Sequence, residues 1–159
     1  MKKVIIIALS VILSACASIK ITPPDQVNVD TQRVFNSSYE QTWIRVVDWF
    51  AEHHVTIEKI EKSSGLITAK YLITDTNNFL DCGDIRASGT LGDARINKLG
   101  SLNVTVRATH DEKTKVNVNF FGEFKLYAND GWDGRLITAE GICVSSGKLE
   151  QNILDFIEN

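Results

Sequence analysis

Three short stretches and a few scattered side chains hold residue types capable of chemistry. His53 and His54 are adjacent, and adjacent helical residues point about 100° apart, so they do not form the two-ligand face of an i, i+4 pair. They read as the polar end of a helix. Asn129-Asp130-Gly131-Trp132-Asp133-Gly134 has the look of a calcium loop. It lacks the longer alternating ligand series and terminal glutamate of one, and reads as a glycine-rich hairpin turn with Trp132 in solvent. Asp81-Cys82-Gly83-Asp84 sets two carboxylates beside a thiol, which is a nucleophile only if Cys82 is unbridged. Ser88, Ser145 and Ser146 lie in no Gly-x-Ser-x-Gly elbow. Asp133 with Glu140, or Asp81 with Glu123, supply carboxylate types for acid–base work, but sequence alone does not bring them together. These patterns demand neither catalysis nor a metal, a cofactor or a small-molecule substrate, and the expectation is a protein that is not an enzyme.

The amino terminus says more. Met1-Lys2-Lys3 is a short cationic start, and Val4 to Leu13 is apolar except for Ser10. That is the charged region and apolar core of a signal peptide, too short for a membrane-spanning helix of about 20 residues. Leu13-Ser14-Ala15-Cys16 then resembles a bacterial lipobox. The resemblance implies cleavage before Cys16, a diacylglyceryl group on its thiol, and an acyl chain such as palmitate on its new amino group. Ala17 stands where, in lipoproteins of the enterobacterial type, an aspartate favours inner-membrane retention. The implied location is the outer membrane, facing the periplasm.

Loss of the first 15 of 159 residues leaves 144, enough for one domain with a real core. Loss of Lys2 and Lys3 takes the formal charge from −3 to about −5. A mildly acidic surface does not suit nucleic acid and gives no electrostatic grip on anionic lipid. The bilayer is therefore held through acylated Cys16, and several acyl chains are needed, since a single one binds marginally. Lipidation of Cys16 leaves Cys82 and Cys143 as a pair in an oxidising compartment, the setting for a disulfide.

The positioning elements follow from periodicity. Residues 16–30 carry Pro23-Pro24 and little apolar pattern, and read as a lipidated end and flexible tether. A single periplasmic domain is expected over 31–159. It opens with a short strand at Gln32–Phe35. Ser37 with Glu40, and Ser38 with Gln41, each fit a capping box for a helix whose apolar stripe is Tyr39, Trp43, Val46, Val47 and Phe50. Ile44 and Trp49 lie off that stripe, as if the helix were covered on more than one side. Two strands flank the Ser63-Ser64-Gly65 turn. Thr74 to Gly100 reads as a long connection with at most one short strand, pinned by the disulfide.

Leu102, Val104, Val106 and Ala108, then Val116, Val118 and Phe120, alternate as a hairpin with one buried face. Phe121, Phe124, Leu126 and Tyr127 extend it with aromatics on both faces. Leu136 to Val144 is a last strand, and Ser145-Ser146 caps a closing helix bearing Leu149, Ile153, Phe156 and Ile157. The expected order is β-α-β-β-β-β-β-α, an α+β fold with an antiparallel sheet packed against two helices.

The aromatic helix (Tyr39, Trp43, Val46, Val47), the Ser64-Gly65 turn and the strand Leu66-Ile67-Thr68-Ala69-Lys70-Tyr71 together resemble domains of the C lipoprotein of the outer-membrane β-barrel assembly machinery. The resemblance covers about a fifth of the chain and implies a helix-grip fold. This chain departs from that family in having one domain and a short leading segment. Trp132, and Phe79-Leu80 in the polar connection, are apolar groups placed where solvent is expected, and mark possible protein contacts. The expected role is a non-catalytic accessory or scaffold that binds another envelope protein. The alternative is an inhibitor or immunity lipoprotein that blocks a hydrolase or toxin.

Overall fold

A computed structural model describes residues 18–72, 78–88 and 91–159. Residues 1–17, which hold the expected signal peptide and Cys16, lie outside the described residues. The first element is strand β1, Ser18–Thr22, followed by β2, Gln32–Phe35, and helix α1, Tyr39–Glu52. Strands β3 (Ile57–Glu61), β4 (Leu66–Leu72), β5 (Leu80–Asp81) and β6 (Asp84–Ser88) come next. Two long strands, β7 (Leu91–Ala108) and β8 (Thr114–Asp130), precede β9 (Leu136–Ser145) and helix α2 (Lys148–Glu158). The fold is α+β, an antiparallel sheet packed against two helices.

The main sheet runs β3-β4-β7-β8-β9-β5. Strand β2 also pairs with β8, at Thr114 to Asn117, while β9 pairs with β8 from Phe121 to Asn129. One flank of β8 is thus shared between the strand before the first helix and the strand before the last. The local causes are those of the sequence. Ser38 accepts from Gln41 N, and the Gln41 side chain accepts in turn from Ser38 N, closing the capping box. Gly65, at φ +59°, sits in the turn between β3 and β4 where an added Cβ would meet Val106 O at 2.1 Å. No other residue tolerates both conditions.

Every second residue of β8 from Val116 to Ala128 except Gly122 is buried, yet two different layers do the burying. Over the proximal half, α1 and α2 lay Trp43, Val46, Phe50, Leu149 and Ile153 on Val104, Val118 and Phe120. Trp49 is fully buried, and its Nε1–H donates to Asn152 Oδ1 of α2 at 2.9 Å, so α1 is covered on a second side by its sister helix. Arg33 of β2 clasps α2 through Asp155 at 2.9 Å and Glu158 at 2.5 Å. Over the distal half the cover is a small second sheet, in which β1 pairs with β6 and sets Ile19, Ile21 and Ile85 on Phe124, Leu126 and Ala128.

That second layer corrects two expectations. Ser18 to Thr22 is a paired strand and not a solvated tether, because Ile19 and Ile21 alternate with polar residues and find an apolar floor. The chain then stays on the domain, with Val29 against Gly147 and Asp30 O accepting from Gln151. Thr74 to Gly100 lies partly outside the described residues, at 74–77 and 89–90, and its described part is mostly strand, comprising β5, β6 and the first ten residues of β7. Gly92, Asp93, Asn97 and Gly100 hide the pattern there. Pairing with the cleanly alternating β8 overrides their weak propensity.

Candidate functional site

Cys82 and Cys143 form a disulfide, with Cα atoms 4.1 Å apart, both sulfur-bearing side chains buried. Cys143 lies opposite Gly122 on β8, on the covered face. A Cβ at Gly122 would meet Leu80 Cδ1 at 2.3 Å and Leu99 O at 2.9 Å. The bare backbone at Gly122 is what lets Leu80 of β5 lie there. Phe79 and Leu80 are consequently not an exposed contact. Phe79 stacks edge-on to Tyr71, and Leu80 bridges the two core clusters. The polar neighbours that made them look exposed are the ends of a two-residue strand whose apolar side turns inward.

Trp132 is 97% exposed. The turn that carries it is built by its carboxylates: Asp130 Oδ1 accepts from Trp132 N at 2.9 Å, and Asp133 Oδ1 accepts from Arg135 N at 2.9 Å. Asp130 is itself buried, and Gly134 N donates back to its carbonyl at 2.9 Å. Such Asx turns shape the loop and engage one oxygen of each carboxylate. Asp81 Oδ1 likewise accepts from Gly83 N, and Asp84 pairs with Arg86. Among the described residues no group of three or more His, Cys, Asp or Glu could hold a metal ion.

The other residues with chemical potential are dispersed. His53 stacks on Trp49 and shares a hydrogen bond between Nδ1 and Trp49 O at 2.9 Å, while His54 ends the helix at φ 54°. Ser88 Oγ meets Ser18 Oγ at 2.6 Å, tying β6 to β1. Ser145 and Ser146 do not cap α2, whose N-cap is Gly147 in the left-handed region. Ser146 donates to Asn78 O, and Ser145 accepts from Gly147 N and donates to Glu150. Glu140 faces Lys125 in the β8–β9 register, away from the Asp133 turn. Asp81 and Glu123 both stand on the open face, with Asp81 opposite Val144 and Glu123 opposite Ile142, but the first is engaged in its own turn.

Sequence reasoning missed two features. Glu150 is 1% exposed and receives the Ser145 hydroxyl at 2.6 Å. Burial raises its pKa, while Ser145 and the backbone N–H groups of Glu150 and Phe120 act against that rise. Only its position in the first turn of α2, one residue after Leu149, hints at this. The second is the open face of β8 and β9. Phe121 is 49% and Ile142 72% exposed, with Val144 half-buried beside them. Phe121 faces Val144 and Glu123 faces Ile142 across the ladder, so these side chains form one patch. The signal was present in Phe121 and Tyr127, which stand on the face opposite Phe120 and Phe124.

A groove of about 850 Å³ lies elsewhere, between β2 and the helices, and is lined by Val34, Ile44, Arg45, Asp48, Glu52 and Glu158. None of the residues considered above for chemistry borders it. No family model matches the chain, and no curated protein matches it.

Proposed function

We propose that this chain is a lipoprotein held at the outer membrane through acylated Cys16, facing the periplasm, and that it is a non-catalytic accessory that binds another envelope protein. The observation that carries the second half is the apolar patch of Phe121, Ile142 and Val144 on the sheet face opposite the helices. Apolar groups that cluster on an uncovered face serve association more often than chemistry. The chemistry-bearing residues, by contrast, are spent on turns, a bridge and a helix end. The charged start, apolar core and lipobox-like Cys16 support the address.

Photo-crosslinking in intact cells tests the binding role. A photoreactive side chain at Ile142 should couple to a defined envelope protein, and Phe121→Glu should abolish the product. The same probe at Ile44, exposed on the helix layer, should not give it. Equal products from both positions would contradict the reading. A soluble hydrolase captured from Trp132 and not from Ile142 would instead make the protein an inhibitor.

A further inference from the structure

We infer that the Trp132 tip of the sheet rests in the interfacial region of the bilayer and acts as a second, non-covalent anchor beside the acylated amino terminus. This rests on the anchor reading above. The structure contributes the juxtaposition: the chain end nearest Cys16 and the Trp132 turn lie toward one end of the molecule.

Two fixed points establish the direction of β1. Its far end is held at mid-sheet, because a Cβ at Gly83 would meet Thr22 O at 2.1 Å, and the adjacent Cys82 is bonded to Cys143 opposite Gly122. Its near end, Ser18, pairs with Ser88, and Leu91 three residues later pairs with Asp130. From the Gly122 rung to the Asp130 rung is about 27 Å of strand at about 3.4 Å per residue. Asp84 follows the bridged Cys82 by two residues and Ser88 precedes Leu91 by three, so β6 starts at mid-sheet and ends near the Asp130 rung. Strand β6 therefore runs toward the tip, and antiparallel β1 starts near the tip and runs away from it. Cys16 precedes Ser18 by two residues, a tether of at most about 7 Å between a lipid on its thiol and this start. Acyl chains leaving Cys16 bring the bilayer surface to this end of the domain.

The tip is made for that surface. Trp132 is fully outside the fold, and Tyr127 and Leu136, on the open face one to three rungs from the turn, are 39% and 62% exposed. An indole with one polar N–H and a phenol are the side chains that favour the level of lipid headgroups. The nearby charges are mixed, with Asp93 and Asp133 against Arg95 and Arg135, so the contact is interfacial partition and not attraction to anionic lipid. Two attachment points at one end hold the long strands away from the membrane. Phe121 and Ile142 then stand about 25–30 Å up the strand, clear of the headgroups.

Tryptophan fluorescence decides it, because Trp43 and Trp49 are buried and Trp132 is the exposed emitter. Protein extracted from membranes is reconstituted into phosphatidylethanolamine and phosphatidylglycerol vesicles containing lipid brominated near the headgroup end of the acyl chains. Its intact mass reports separately whether Cys16 is acylated. If it is not, the anchor reading fails, and the tip is tested on the same protein with the Cys16 thiol coupled to a maleimide lipid, the other two cysteines being bridged. On either anchor, emission should shift to the blue and be quenched by the brominated lipid, and Trp132→Phe should remove both effects. Emission that stays red and open to iodide overturns the inference. So does protection of Trp132 that arises only after a second envelope protein is added, since Trp132 would then be a protein contact.

Discussion

Trp43 and Trp132 are the same side chain in opposite surroundings, 6% and 97% exposed. Removing the first empties a cavity under α1, and Trp43→Ala should cost about 3–5 kcal/mol in urea unfolding. Trp132→Ala should change stability by no more than about 0.5 kcal/mol. Equal losses would place Trp132 in the core and end its role as a tip. The difference was readable in the sequence, since Trp43 sits on a helical stripe and Trp132 between two Asp-Gly-type turn signals. Glu150 was not readable, because a carboxylate at the start of a helix is normally solvated. Its raised pKa means the folded state favours the protonated acid. Its contribution is therefore most favourable at low pH and is lost as pH rises through the folded-state pKa. Glu150→Gln keeps an oxygen to accept from Ser145 and removes the charge. Urea midpoints from about pH 4 to about pH 8 should fall for the native chain relative to this variant. Parallel curves would mean that Glu150 titrates as an ordinary surface acid.

The covered face of the sheet divides between two kinds of cover, and the division follows the disulfide. Helix stripes announce themselves by period, so the proximal layer was legible from Tyr39, Trp43, Leu149 and Ile153. The distal layer was not, because β1 and β6 are five residues each, and Ser18 lies 70 residues from its partner Ser88. Each has the alternation of a strand, Ile19 and Ile21 in one and Ile85 in the other, but a strand this short means little without its partner. Cys82 is the link that keeps β6 at the sheet. Replacing Cys82 and Cys143 with Ser should cost up to about 4 kcal/mol by the chain-entropy argument. Hydrogen exchange should locate the loss: amides of Ser18–Thr22 and Asp84–Ser88 should open well before those of the β7–β8 hairpin. Uniform loss of protection would show that the small sheet and the main one unfold as a unit and that the bridge is not a local clasp.

At the scale of the molecule, one sheet carries helices near one end, a two-stranded strap near the other, and an apolar patch on the face that neither covers. In the proposed reading, packing, attachment and association fall on separate surfaces. The α+β class was legible because the strands and the two helix stripes are separated along the chain. Which outer-face residues would stand bare was not, since that depends on register, and a one-residue slip would exchange Phe121 with Phe120. Attachment is the claim on which the rest depends, and the intact mass of the membrane-extracted protein tests it most directly. The expected product is a chain that begins at Cys16, carries the mass of a diacylglyceryl group and one further acyl chain, and is lighter by two hydrogens for the Cys82–Cys143 bridge. A chain that begins elsewhere, or a Cys16 without lipid, would contradict attachment through this residue.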